Sequence, residues 1–136
     1  EKWDKSDKLY IDLIADNTND AQAYNNYAYS LVERNQDIDY ALTLAEKAIE
    51  LSPNTSAYLD TVGWIYFKLG NFDKAKEFIA KSIVYDDSSA VVLEHYGDVL
   101  IALNNKDEAL VFYKKAFELD QNNNSLSEKI SLYESE

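Results

Sequence analysis

Apolar residues recur at helical spacing on both sides of a Gly-Asn pair near the middle of the chain. Before this pair, the face of a helix is occupied by Leu59, Val62, Gly63 and Tyr66. Gly70 and Asn71 then interrupt the pattern, as expected at a helix end, because glycine adopts positive φ without steric cost. A second stripe follows at Phe72, Ala75, Ile79 and Ile83. The pattern predicts two helices joined by a tight turn, a unit too small to bury its own apolar face.

This helix–turn–helix pattern occurs three times. Leu59 and Gly63 reappear as Leu93 and Gly97, both 34 residues later. Small residues return at the same spacing in the second helices, at Ala41, Ala75 and Ala109 and again at Ala48, Ser82 and Ala116. Upstream the spacing is 35, because one residue is inserted in the turn at 34–37. Small residues permit close helix contacts, so the copies are predicted to stack on one another.

Helices are predicted along most of the chain, and no alternation typical of strands appears. Their approximate ranges are 3–15, 21–34, 38–51, 55–69, 72–85, 89–103, 106–119 and 125–134. Asp20 is the expected N-cap of the second helix, since a carboxylate there accepts a hydrogen bond from a free backbone N–H. The sequence therefore predicts an all-α fold.

The repeated residues resemble the tetratricopeptide repeat (TPR) family, whose 34-residue unit has large, glycine, aromatic, alanine and proline positions in a set order. Asp87 and Gln121 stand where the family has proline, and Lys106 stands where it has an aromatic residue. The resemblance implies a TPR solenoid of antiparallel helix pairs: three full repeats, a leading half-repeat and a C-terminal capping helix. Its expected parts are a half-repeat helix at 1–16, repeats at 21–54, 55–88 and 89–122, and a capping helix at 124–136.

The composition excludes several classes of function. The net charge is −12, with 13 Lys+Arg against 25 Asp+Glu, so binding to nucleic acid or to an anionic membrane surface is not expected. The chain has no cysteine, and its only histidine is His95, so no metal site is predicted. No phosphate-binding glycine loop or nucleophile motif is present. We therefore predict no enzyme activity, no cofactor and no membrane insertion.

The resemblance implies that the first helices of successive repeats line a concave groove that binds a protein or peptide. The inner stripe of these helices gives the predicted groove residues, which are Asn25, Tyr29, Asp60, Trp64, Phe67, Val91, Glu94, Asp98 and Ile101. The aromatic residues would anchor a ligand, and the carboxylates would form a charged rim. An alternative interpretation is that Trp64 and Phe67 only pack against neighbouring first helices.

Chaperone-binding TPRs resemble one another in a set of basic and asparagine residues that grips a C-terminal carboxylate. The matching places here are Asn25, Tyr29, Thr61, Val91 and His95, none of which is Lys or Arg. The expected partner is therefore a neutral or basic segment rather than a C-terminal carboxylate.

Two other functions remain open at this point. A carbohydrate-binding module would use groove aromatics to stack on sugars, and a self-assembly module would form homo-oligomers through the apolar N-terminal half-repeat. The amino-acid sequences of the first two repeats resemble those of bacterial multi-TPR proteins, some of which are lipoproteins. The chain is expected to be a soluble segment of a longer protein, either cytoplasmic or periplasmic and lipoprotein-anchored, and acting as a scaffold or adaptor.

Overall fold

The structure, a computed structural model, describes residues 2–135, with side chains from residue 5 onward. This part of the chain contains eight helices and no strand. They are α1 (Lys2–Asp16), α2 (Ala21–Glu33), α3 (Ile38–Leu51), α4 (Ser56–Lys68), α5 (Phe72–Tyr85), α6 (Ala90–Ala102), α7 (Lys106–Leu119) and α8 (Asn124–Glu134). Every predicted helix end lies within one residue of the observed one.

The helices form antiparallel pairs that stack one after another along the chain, as the sequence predicts. Helices α2 and α3, α4 and α5, and α6 and α7 pack as hairpins, and each hairpin contacts the next through α3–α4 and α5–α6. The first helices also touch one another, α2 against α4 and α4 against α6. The result is an all-α solenoid in which α1 is the leading half-repeat and α8 closes the other end.

The three turns inside the hairpins close in the same way, with one residue at positive φ after each first helix. These residues are Asn35 (φ 56°), Gly70 (φ 82°) and Asn104 (φ 62°). After Gly70, the Asn71 N–H donates to the Tyr66 carbonyl at 2.9 Å, and equivalent bonds follow the two asparagines. Asparagine tolerates the left-handed conformation well enough to replace glycine here. From the sequence, only Gly70 is identified as a residue whose positive φ ends a helix.

The residue inserted in the first turn has a structural consequence. In the other two hairpins the residue after the left-handed one is an asparagine whose side chain caps the second helix, Asn71 accepting from the Lys74 N–H and Asn105 from the Glu108 N–H. In the first hairpin Gln36 intervenes, and the N-cap Asp37 sits at φ 43° without a side-chain cap bond. Asp20, by contrast, caps α2 as predicted, accepting from the Ala23 N–H at 3.0 Å.

Within each hairpin the two helices cross at a glycine or alanine of the first helix. The facing residue of the second helix is large where the first helix has glycine and small where it has alanine. A Cβ added at Gly63 would lie 2.5 Å from Cγ1 of Ile79, and one at Gly97 would collide with the ring of Tyr113. In the first hairpin the equivalent pair by register is Ala28 and Ala45, both fully buried. The larger residue in α5 and α7 therefore occupies the space that glycine leaves.

The two ends of the stack differ. Helix α1 packs on α2 through Tyr10, whose ring stacks on Tyr27 at 5.4 Å, and through Asp7, which accepts a 2.6 Å hydrogen bond from the Arg34 guanidinium. On its other side α1 exposes Leu9 (65%) and Leu13 (49%). At the opposite end α8 buries Leu126 completely against the last hairpin and is otherwise largely polar.

Candidate functional site

An open cavity of about 420 Å³ lies where the three first helices α2, α4 and α6 meet. Its size falls within the range of ligand pockets. The side chains around it are aromatic, amide, hydroxyl and carboxylate groups with a few aliphatic ones, and none of the described lining residues is Lys or Arg. Helix α6 is held in place at this edge by Ser89, whose hydroxyl accepts from the Val92 N–H.

Four buried polar residues lie on these helices: Asn25 on α2, Asp60 and Thr61 on α4, and His95 on α6. Asp60 of α4 is 4% exposed and His95 of α6 is 8% exposed. Both carboxylate oxygens of Asp60 lie 3.1 Å from Nδ1 of His95, and Nδ1 is the donor because a carboxylate only accepts hydrogen bonds. Asn25 of α2 is also 8% exposed, and its Oδ1 is buried without a hydrogen-bond partner. A buried acceptor of this kind costs about 1–3 kcal/mol.

Tyr29 lies one helical turn beyond Asn25 on the wall of the cavity. Burial raises the pKa of its hydroxyl, and the nearby carboxylates of Glu33 and Asp60 raise it further. The phenol therefore remains a neutral hydrogen-bond donor. The direction of these contributions also shows that the potential at this wall is negative.

Trp64 is part of the core between α4 and α6 and is not an open groove residue. Its ring stacks on His95 at 3.8 Å and on Phe67 at 4.7 Å, and only 8% of the residue is exposed. The Lys68 ammonium lies 5.1 Å from the ring centroid. The indole Nε1 is buried and has no hydrogen-bond partner. Little of this ring is available for stacking on a ligand, which disfavours the carbohydrate-binding interpretation for this residue.

At the C-terminal end of the array, α8 pairs with two carboxylates of the inner stripe of α6. Lys129 donates to Glu94 at 2.7 Å and to Asp98 at 2.9 Å. Burial opposes the charge of Lys129, but its hydrogen bonds and ion pairs with these two carboxylates outweigh burial and raise its pKa. Glu94 and Asp98 were predicted as part of an acidic rim. The structure instead places an ammonium group between them.

Asp98 has a second partner in the last hairpin. The Tyr113 hydroxyl donates to its Oδ1 at 2.6 Å, and burial together with this hydrogen bond and the Asp98 charge raises the pKa of Tyr113 strongly. The residue that fills the space beside Gly97 therefore also holds a carboxylate of the inner surface in place. Asp98 belongs to a cluster that joins α6, α7 and α8.

Seven of the nine predicted groove residues line one of two cavities. Asn25, Tyr29, Asp60 and Val91 line the large cavity. Phe67, Asp98 and Ile101 line a smaller hollow of about 250 Å³ near α8. Glu94 and Trp64 line neither. Sequence reasoning missed Lys129, although a single basic residue on an otherwise polar closing helix was visible in the sequence.

Two absences complete the description. Within residues 2–135, no group of three or more histidine or acidic side chains is arranged to hold a metal ion. In the same stretch, no helix has the length and apolarity needed to cross a bilayer.

Comparison with known proteins agrees with the repeat architecture. The model of the family described as "Anaphase-promoting complex, cyclosome, subunit 3" matches residues 34–116, which is more than half of the chain. The chain belongs to this tetratricopeptide repeat family. Among solved structures, the TPR protein YrrB, described as having an unusual peptide-binding site, aligns with a TM-score of 0.79 at 24% identity over 91% of this chain and 63% of its own.

Other TPR proteins are similar over part or most of the chain. The first TPR of Spaghetti (RPAP3), bound to the HSP90 peptide SRMEEVD, aligns with a TM-score of 0.78 at 18% identity, covering 85% of this chain and 93% of that one. A TPR repeat-containing protein of Pseudomonas aeruginosa is 31% identical over 71 residues, and the Hsp70-Hsp90 organizing protein 1 of Glycine max is 30% identical over 89.

These curated relatives are much longer than the TPR segment described here. The matched part covers 52% of this chain but 12% of the Pseudomonas protein, and 65% of this chain but 15% of the Glycine max protein. The similarity therefore concerns the TPR array and not the remainder of those proteins.

Proposed function

We propose that this TPR array is a protein-interaction module that binds a segment of a partner protein in the cavity formed by α2, α4 and α6. The observation that carries the proposal is the open cavity itself, about 420 Å³ at the junction of the three first helices and lined by Asn25, Tyr29 and Asp60. Amide, hydroxyl and carboxylate groups on its wall offer hydrogen bonds to the backbone and side chains of a bound segment. The Spaghetti TPR in its complex with the HSP90 peptide is a precedent for peptide binding by this fold.

The same cavity does not suit a C-terminal carboxylate. Asn25, Tyr29, Thr61, Val91 and His95 occupy the places where chaperone-binding TPRs carry their grip on such a group, and none is Lys or Arg. Asp60 adds a negative charge at this point. An internal, neutral or basic segment fits the cavity better, because it brings donors and no further negative charge.

The test is the Asn25→Leu variant, which replaces the unpartnered amide by an apolar side chain of similar size. We expect its free energy of unfolding to rise by about 1 kcal/mol, since the cost of the buried acceptor disappears. Peptides selected on the wild-type chain from a displayed library of random linear peptides should bind the variant about tenfold more weakly, the loss of one buried hydrogen bond. Unfolding in urea and fluorescence polarisation measure the two effects.

Asn122→Leu is the matched control. Asn122 is exposed in the loop before α8, so this variant makes the same chemical change away from the cavity. It should alter neither peptide affinity nor selection. An Asn25→Leu variant that is less stable than wild type and binds the selected peptides equally well would contradict the proposal. Failure to select any peptide on the wild-type chain would also contradict it.

Self-assembly is a second candidate, favoured by the exposed apolar side of α1. Leu9 and Leu13 lie one helical turn apart on the same side of α1 and are 65% and 49% exposed. Contiguous apolar surface on a repeat end promotes association with another repeat.

We expect concentration-dependent dimerisation of this chain in sedimentation experiments, and the Leu13→Glu variant should weaken it about tenfold or more by placing a charge in the contact. Leu132→Glu is the control, since Leu132 is a 54% exposed leucine on α8 at the other end of the stack. Strictly monomeric sedimentation of the wild-type chain at high protein concentration would exclude this second candidate.

A further inference from the structure

The large cavity presents hydrogen-bond acceptors and negative charge, and lacks the groups that would recognise an anion. Asp60 is the charged residue on its wall, and the described lining contains no Lys or Arg. A carboxylate has about four acceptor positions, of which the His95 Nδ1–H uses at most two. The carboxylate therefore has unused capacity for a ligand that carries several N–H donors.

Two tyrosines give this cavity aromatic walls. Tyr29 lines it from α2 and Tyr10 from α1, and the Tyr10 ring is held by stacking on Tyr27 at 5.4 Å. The face of an aromatic ring attracts a cation through its quadrupole, most strongly where water is excluded. A carboxylate acceptor together with aromatic rings is the combination of features that recognises a cationic side chain.

We propose that this cavity holds an arginine side chain of the bound segment, with its guanidinium donating to the carboxylate of Asp60. This inference rests on the proposed function and specifies what the segment must carry. Arginine suits the cavity better than lysine, because the guanidinium has five N–H donors in a plane and is less strongly hydrated than an ammonium. It also stacks readily on tyrosine rings.

The surroundings of the cavity favour this assignment over a neutral donor. Burial is the main cause of the raised pKa of the Tyr29 hydroxyl, and the carboxylates of Glu33 and Asp60 raise it further, so both add negative potential at this wall. The Lys129 ammonium is already committed to Glu94 and Asp98. The chain as a whole carries a net charge of −12, which steers a basic segment towards it.

The experiment begins with peptides selected on the wild-type chain from a displayed library of random linear peptides. In the tightest binder each arginine is replaced by citrulline, which has nearly the same shape but no charge. We expect one such replacement to weaken binding at least about tenfold, since a hydrogen-bonded charged group is lost, and the others to change it little.

The same peptides are then measured on two variants that carry the same substitution. Val91→Lys places an ammonium at the mouth of the cavity, where Val91 is 52% exposed, and Val84→Lys places one on α5, where Val84 is 82% exposed and lines no described cavity. Val91→Lys should weaken the arginine peptide about tenfold and leave the citrulline peptide unchanged, because like charges repel at short range. Val84→Lys should affect both peptides equally and weakly.

Each result has a distinct meaning. If no peptide is selected, the proposed function itself fails. If peptides are selected but every citrulline peptide binds as tightly as its parent, the module binds peptides and the arginine assignment is wrong. If Val91→Lys weakens arginine and citrulline peptides by the same factor, the guanidinium does not occupy this cavity and the assignment is likewise wrong.

Discussion

The Trp64→Ala variant is expected to unfold with a free energy about 3–5 kcal/mol lower than the wild-type chain, the usual cost of truncating a buried Trp to Ala. Trp64 is 8% exposed and stacks on His95 from α6 and on Phe67 from its own helix. Its removal leaves a cavity between two repeats and frees His95, which holds Asp60. Far-ultraviolet circular dichroism in urea measures the change without relying on tryptophan fluorescence.

Trp64→Phe is the matched control. Phenylalanine keeps an aromatic ring against His95 and removes the indole N–H, which is buried and without a partner. Because the loss of ring contacts is partly offset by the removal of an unsatisfied donor, this variant should lose less than about half of the stability lost by Trp64→Ala. A Trp64→Ala variant as stable as the wild type would mean that the ring does not join the repeats.

The fold follows from the sequence because it is determined locally and repeated. A period of 34 residues, seen three times, allowed each helix to be placed from its copies. The turn after Leu103, which contains no glycine, could therefore be placed from the equivalent turn at Gly70. The helix ends depend on residues within one turn of them, such as Asp20 and Gly70, and these are read directly.

The inner surface could not be predicted in the same way, because exposure there depends on the neighbouring helix. The sequence left Trp64 open between an exposed anchor and a packing residue, and the decision is made by His95, which is distant in sequence and comes from the next repeat. Helix periodicity gives the direction of a side chain but not what covers it.

The carboxylates show the same limitation more strongly. Glu94 and Asp98 occupy the same stripe as Asp60, yet two of the three are paired with Lys129 from a helix outside the repeats, and the third with His95. Counting charges along the stripe predicts a uniform acidic rim. In the structure, Lys129 pairs with Glu94 and Asp98, and the acidic part of the inner surface is the cavity that Asp60 lines. The cavity is therefore a property of the assembled array and not of any one repeat.

The Gly63→Ala variant is expected to lose about 1–3 kcal/mol of stability, although alanine is the better helix former. The added Cβ would lie 2.5 Å from Cγ1 of Ile79 and 3.1 Å from the Ala75 carbonyl oxygen. Ile79 is fully buried, so its side chain has no free space to move into. The steric cost should exceed the gain of about 1 kcal/mol in helix propensity.

The first hairpin indicates how this loss can be reversed. There the equivalent positions are Ala28 and Ala45, so alanine in the first helix coexists with a small residue opposite. Introduced into the Ile79→Ala chain, Gly63→Ala should therefore cost much less than in the wild-type chain, because the clash with Ile79 is gone and the helix propensity gain offsets the remaining 3.1 Å approach to the Ala75 carbonyl oxygen. Urea denaturation of the two single variants and the double variant should give a coupling energy of about 1–3 kcal/mol. Additive losses would show that the two residues do not meet at this crossing, and that the helices of the second hairpin pack at another register.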